Sequence, residues 1–447
     1  MEKKRHAKFS RREFLRTAAV AGLGLAAQVS LPGCRKKDAA PVADEPANIR
    51  FVSNHGESNV PLFEKVLENF AAAYPHIEVE YLDIAGGDFY NSINAQGAAG
   101  DLPDIWYTRT FDVPVYASKG WTVNLQPLID RDAEEVDVDD FWPAEVAQMQ
   151  WEGDLYALPY DFSNMGIFYN KALFDAEGKD YPPDDWNMKD LMDLAVQFVQ
   201  KDDSGAITRW GMTFGFGLWT FWGKLAGWGG NVITEDFKTC IADSAENRAC
   251  LEFFAEAREK GAYPESGAMP AGVNPFAGEL VPLYYNGSWA TVQMRSLVED
   301  KFVFDVAALP VSPSGKSCIS AAGGAWGIAA NSKFVEQTWV FNKFLTNTES
   351  TNILISEPVR SIPGRKSSVP AWKEAASGGG MPPENVEVFA DQNETALAVS
   401  FPPYWQDMNQ AWSNIVVPYL NGTADEDAGT VLKDFQEEVT RIIDLGW

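Results

Sequence analysis

Residues 49–81 read IRFVSNHGESNVPLFEKVLENFAAAYPHIEVEY, and the order of patterns in this stretch decides the fold. Ile49 to Ser53 is an apolar-rich run of strand length. Ser58 is a helix-capping residue type and Pro61 suits a first helical turn. Val60, Phe63, Val66, Leu67 and Phe70 then recur on one helical face, and Ile77-Glu78-Val79-Glu80-Tyr81 alternates as a strand does. Strand, loop, helix, strand is the grammar of a parallel sheet with helices on both faces.

Towards the C-terminus the grammar repeats. A helix from about Tyr90 to Ala99 precedes a strand at Asp104-Ile105-Trp106-Tyr107. Asn187 caps a helix running to about Lys201, Ser244 begins another, and Val303 to Leu309 is a strand. Ile328-Ala329 leads into a helix carrying Val335, Trp339, Phe341 and Phe344. The tail is helical twice over: Trp405, Met408, Trp412, Ile415 and Tyr419 share one face, as do Val431, Leu432, Phe435, Val439 and Ile442.

Towards the N-terminus the residues are an address. Lys3, Lys4, Arg5 and Lys8 lead into Ser10-Arg11-Arg12-Glu13-Phe14-Leu15, which resembles a twin-arginine export signal, and then into an apolar run from Ala18 to Val29. That run is too short to span a bilayer. It ends in Leu31-Pro32-Gly33-Cys34, which resembles a bacterial lipobox, with Pro32 where a small residue is usual. The reading is a signal peptide over 1–33, a lipid-carrying Cys34 and a tether over 34–47. Acyl chains anchor a soluble body because burial contributes about 0.8 kcal/mol per CH₂.

What remains, about 400 residues, is enough for two domains. With 46% hydrophobic and 22% charged residues the chain affords a large core. A net charge of −27 excludes a nucleic-acid partner, whose phosphates need a basic face. The three histidines, His6, His55 and His76, have no ligand-spaced neighbour, so neither a metal site nor a cofactor is expected. A Cys240–Cys250 disulfide suits an oxidising compartment, whereas a passenger folded before export, or a buried Cys250 thiol, argues for free cysteines.

Six phrases, in order, carry a resemblance. They are Phe70 with Tyr74-Pro75-His76-Ile77-Glu78-Val79, Ala98-Ala99-Gly100-Asp101-Leu102-Pro103-Asp104-Ile105, Gly153-Asp154-Leu155-Tyr156-Ala157-Leu158-Pro159-Tyr160-Asp161, Phe168-Tyr169-Asn170-Lys171-Ala172-Leu173-Phe174, Tyr285-Asn286-Gly287-Ser288-Trp289 and Ala307-Ala308-Leu309-Pro310. Together they resemble extracellular solute-binding protein family 1, the sugar-binding components of ATP-driven importers, over Ile49 to about Pro363. The resemblance implies an α/β, two-lobe periplasmic-binding-protein fold (type II-like), each lobe a mainly parallel sheet flanked by helices, joined by a multi-crossing hinge. It implies a first lobe of 48–159 plus 325–359 and a second of 160–324 plus 360–447. The crossings are expected after Pro159, near Gly323 to Trp326, and near Val359 to Pro363.

The sixteen tryptophans supply flat faces on which sugar C–H groups stack while hydroxyls hydrogen-bond. Trp219 and Trp222, in the glycine-interleaved stretch 215–222, are expected as stacking platforms, with packing in the second lobe as the alternative. Trp289 and Trp326 follow glycines on segments that the resemblance brings to the cleft. Trp106 and Arg109 end a central strand, and Arg360 stands beside the third crossing. Glu57, in the loop after the first strand, either accepts sugar hydroxyls or caps a helix. Asp161 either takes hydroxyl donors or locks the hinge. The arginines suit a carboxylated sugar such as a uronate, or an acid of the protein itself.

The expected function is capture of a mono- or oligosaccharide by hinge closure and delivery to the permease subunits of an ATP-driven importer, by a monomer lipid-anchored at the cell envelope. The rival readings are a carbohydrate-active hydrolase, which needs two carboxylates across the cleft, and a binder of a non-sugar solute such as a polyamine. Neither a Gly-x-Ser-x-Gly elbow nor a His-Glu-x-x-His helix is present, which weighs against catalysis.

Overall fold

The computed structural model describes residues 44–84, 86–355, 361–397 and 399–446; the expected leader, Cys34 and Arg360 lie outside them. The elements that position the site are numbered here in chain order. The strands are β1 (Ala47–Ser53), β2 (Ile77–Asp83), β3 (Ile105–Arg109), β4 (Ala157–Ser163), β5 (Met165–Asn170), β6 (Met212–Thr213), β7 (Leu283–Gly287), β8 (Phe304–Ala308), β9 (Ala322–Ile328) and β10 (Ile362–Pro363). The helices are α1 (Val60–Ala73), α2 (Gly87–Ala99), α3 (Pro143–Gln148), α4 (Leu218–Gly227), α5 (Ala245–Glu259), α6 (Trp405–Leu420) and α7 (Ala428–Leu445).

The opening stretch folds as its pattern requires. β1 lies parallel to β2 and to β3, and α1 between them buries Phe63, Val66 and Phe70. α2 ends at Gly100, whose φ of 71° is the left-handed turn that glycine tolerates best.

Two larger sheets result, ordered β10-β4-β9-β3-β1-β2 and β6-β7-β5-β8. The fold is the expected α/β two-lobe architecture, but its sheets are mixed rather than mainly parallel. β9 is antiparallel to both β3 and β4, β10 is antiparallel to β4, and β5 is antiparallel to β7 and β8. The reversed strands are those at the crossings: a strand arriving from the other lobe enters the sheet from the opposite end.

β4 stays in the first sheet as far as Ser163 and β5 joins the second at Met165, so the chain changes sheet at Asn164, not directly after Pro159. Asn164 is fully buried, and its side-chain amide donates to the Phe389 carbonyl (2.7 Å) and to Asn393 Oδ1 (2.6 Å). The return falls between β8 and β9, and β10 brings a third segment to the edge of the first sheet beside β4.

Cys240, Cys250 and Cys318 are free and buried, so there is no Cys240–Cys250 bond. Burial pushes the Cys240 thiol up to about 11 and Cys318 up to about 12.

Candidate ligand-binding cleft

On the first lobe, strand register sets the cleft edge. Gly324 of β9 pairs with Arg109 of β3 on one side and with Asp161 of β4 on the other. One row across three adjacent strands thus holds an arginine, a glycine and an aspartate. A Cβ on Gly324 would stand 2.0 Å from the Tyr107 ring, so only glycine fits there. The Gly324 N–H donates to Asp161 Oδ1 at 2.7 Å, across an irregularity in the pairing of β4 with β9. The hinge-locking role expected as one option for Asp161 therefore has a bond to carry it. A cavity of about 20 Å³ beside Asp161, lined also by His55, Asn59, Tyr160 and Ser361, has room for about one water.

Arg109 is held on three sides. Its guanidinium lies 3.6 Å from the centroid of Tyr90 and 4.5 Å from that of Phe111, and its Nε donates to Asp112 Oδ2 at 2.6 Å. Burial is the largest single influence and lowers its pKa, but the charge of fully buried Asp112, the neighbouring Tyr90 and the hydrogen bond to Asp112 together keep Arg109 above the ordinary arginine value. Its terminal nitrogens donate to no acceptor among the described residues. This arginine has rigid faces and one open edge, a geometry suited to oxygen acceptors.

The loop after β1 is organised by a residue that the sequence reading passed over. Asp83, at the end of β2, accepts from the backbone N–H groups of His55 (2.8 Å) and Gly56 (2.9 Å) and from the Ser53 hydroxyl (2.6 Å). Glu57, the first residue of a 3-10 turn at Glu57–Asn59, is exposed beyond this cradle.

On the second lobe, β6 and β7 run parallel, and the segments beyond their C-terminal ends bring together Trp219, in the first turn of α4, and Trp289. The two rings are half-buried, with centroids 6.0 Å apart and planes 41° apart. Gly287 makes room for Trp289, since a Cβ there would stand 2.1 Å from its ring. Below them Phe214 stacks on Tyr285 at 4.4 Å, and the Tyr285 hydroxyl accepts from Lys224 Nζ at 2.6 Å. Lys224 is fully buried, also donates to the Thr220 carbonyl (2.8 Å), and is pushed down to about 7 by burial.

A row of rings ties the lobes together. Phe111, which stacks on Arg109, lies 5.6 Å from both Phe401 and Trp405, and Trp405 stacks on Trp222 at 6.3 Å. Beside it the Gln406 amide donates to Asp112 Oδ1 at 3.2 Å. α6 itself packs on α4, α5 and α7 of the second lobe. Beyond this bridge a groove of about 600 Å³ separates Ser118 and Lys119 from α6 and α7; it contains none of the expected binding residues.

Three expected binding residues are corrected. Trp106 and Trp326 are wholly buried in the first lobe. Trp326 is packed among Phe51, Phe63, Tyr107 and Tyr160, and Trp106 faces Tyr116. Both stand on interior strands of a sheet covered on both faces, where alternate side chains have only core to enter. Trp222 is 4% exposed, and its indole N–H donates to Asn231 Oδ1 at 2.7 Å, so it packs the second lobe instead of standing free. Arg109, Asp161, Trp219, Trp289 and the exposed Glu57 remain as candidates, and the half-buried Tyr90 and Phe111 join them, while Phe401 and Trp405 are buried and serve the contact between the lobes.

With this geometry in place, comparison with known proteins identifies the family. The family described as bacterial extracellular solute-binding protein matches residues 65–382, more than half of the chain. The chain belongs to the bacterial extracellular solute-binding proteins. A maltooligosaccharide ABC transporter solute-binding lipoprotein of Streptococcus pneumoniae is 23% identical over 450 residues, covering 94% of this chain and 97% of that protein. An erythritol/L-threitol-binding protein of Mycolicibacterium smegmatis is 22% identical, covering 81% of this chain and 82% of that protein. Among solved structures, an ABC substrate-binding protein of Listeria monocytogenes in complex with cycloalternan superposes with a TM-score of 0.76 at 20% identity, over 90% of this chain and 100% of that one. These structural likenesses establish the fold, and the family establishes a solute-binding role outside the cytoplasm. No helix among the described residues is long and apolar enough to cross a membrane.

Proposed function

We propose that this solute-binding protein captures a carbohydrate, a mono- or oligosaccharide, by closing its two lobes, and delivers it to the permease subunits of an ATP-driven importer. The observation that carries the reading is the half-buried Trp219–Trp289 pair on the second lobe, set against a first-lobe edge that presents the open side of Arg109. Rings offer faces to sugar C–H groups, and the guanidinium offers donors to hydroxyl oxygens. The relatives support the ligand class, since their names specify erythritol or L-threitol, lactose and maltooligosaccharides.

Closure requires that the ligand bind the closed arrangement better than the open one. We further propose export under the twin-arginine-like leader, acylation at Cys34 and action as a lipid-anchored monomer, as the lipobox-like Leu31-Pro32-Gly33-Cys34 suggests. A thermal-shift panel of mono- and oligosaccharides, uronates and spermidine tests the ligand, with analysis of the sugars after incubation. Stabilisation by a carbohydrate that is recovered intact is expected. Stabilisation by spermidine alone, or hydrolysis of an oligosaccharide, would overturn the reading.

A further inference from the structure

α3 lies behind the hinge, packed on β4, β9 and the turn Thr110–Asp112. It presents Glu145, which is wholly buried, and neither carboxyl oxygen has a hydrogen-bond partner among the described residues. A Cβ on Gly323 would meet the Asp161 carbonyl oxygen at 1.8 Å and Glu145 Oε1 at 3.0 Å. The acid is thus pressed against both hinge strands where they pass between the sheets. One turn along α3, Gln148 donates to the Ala321 carbonyl at 2.7 Å and so ties the helix to the returning segment.

The titratable groups on the packed elements are Tyr160 and Asp161 of β4, and Asp112 of the turn with its partner Arg109; β9 carries none. The Arg109 Nε is committed to Asp112, and among the described residues no cation pairs with Glu145. Burial, and then the facing Asp161, push the Glu145 carboxyl well above the usual carboxylate range. A buried carboxylate with neither cation nor donor is unfavourable, so the group in this arrangement is the neutral acid.

We propose that Glu145 makes lobe opening proton-dependent: the neutral acid fits the hinge as it stands, and losing its proton to solvent favours an arrangement in which water reaches the carboxylate. The direction follows from the contacts. The lobes already touch through Phe111, Phe401 and Trp405, so the alternative arrangement is the wider one. The device needs no ligand, and so stands or falls separately from the carbohydrate reading.

Small-angle X-ray scattering of the ligand-free protein from pH 5 to pH 10 tests it. The radius of gyration of the wild type is expected to rise with pH through a one-proton transition. Glu145→Gln, which keeps the shape of the neutral acid, should stay compact throughout, as should Glu145→Met if the glutamine variant does not fold. Asp161→Asn removes the facing charge and should move the midpoint about one unit lower. A flat wild-type profile, or a transition that survives unchanged in the Glu145 variants, would overturn the proposal.

Discussion

Trp289 leans over Gly287 with its ring half in solvent, whereas Trp326 is enclosed by the rings of Phe51, His55, Phe63, Tyr107 and Tyr160 with none of its surface exposed. Replacing each by alanine should separate binding from folding. Trp326→Ala is expected to destabilise by about 3–5 kcal/mol, as for other large-to-small core changes, read by chemical denaturation. Trp289→Ala should leave the midpoint of unfolding nearly unchanged. Lys224 offers a different test. Its folded pKa, about 7, lies below the ordinary lysine value, so between these the unfolded chain holds a proton that the folded one has released. The lysine therefore destabilises most below pH 7, and the penalty fades as pH rises towards the unfolded value. Lys224→Met is expected to raise the melting temperature at pH 6, and the gap between variant and wild type should narrow steadily towards pH 10. A gap independent of pH would contradict that assignment.

At the scale of elements, the hinge strands tolerate almost no added volume. Gly323→Ala would drive a methyl group into the Asp161 backbone carbonyl, 1.8 Å from the new Cβ, and backbone cannot step aside as a side-chain tip can. We expect a loss of about 1–3 kcal/mol or more in denaturant unfolding, against little effect for the same change at exposed Gly215, where a Cβ would meet nothing nearer than 3.7 Å. The helices and strands themselves were legible because their periodicities are local: α1 buries Phe63, Val66 and Phe70 on the face their spacing predicted. The direction of a strand within its sheet was not, because it depends on which lobe the chain arrives from. That is why sheets expected to be mainly parallel are mixed at β4, β5, β9 and β10. The candidate site divides in the same way. Trp219 and Trp289 were marked by neighbouring glycines that make room for rings, but a tryptophan on a doubly covered strand, such as Trp106, has the same local look. Asp112 and Gln406 meet across 294 positions of chain, and Phe111 and Trp405 beside them likewise leave no pattern in any window of sequence.

At the scale of the molecule, the two lobes are joined by strands that change sheet at Asn164 and between β8 and β9, and among the described residues they touch through the aromatic bridge and the Gln406–Asp112 hydrogen bond beside it. In the proposed capture by closure, small rotations at the hinge would bring the arginine of one lobe and the tryptophan pair of the other together or apart. The claim on which this account depends is that Trp219 and Trp289 form the binding wall. Calorimetric titration of the wild type and of Trp219→Ala/Trp289→Ala, with the carbohydrate that gives the largest thermal shift, tests it most directly. The account predicts saturable binding by the wild type and an affinity at least about tenfold weaker in the variant, a loss of about 1.4 kcal/mol. Equal affinities in two folded proteins would contradict it.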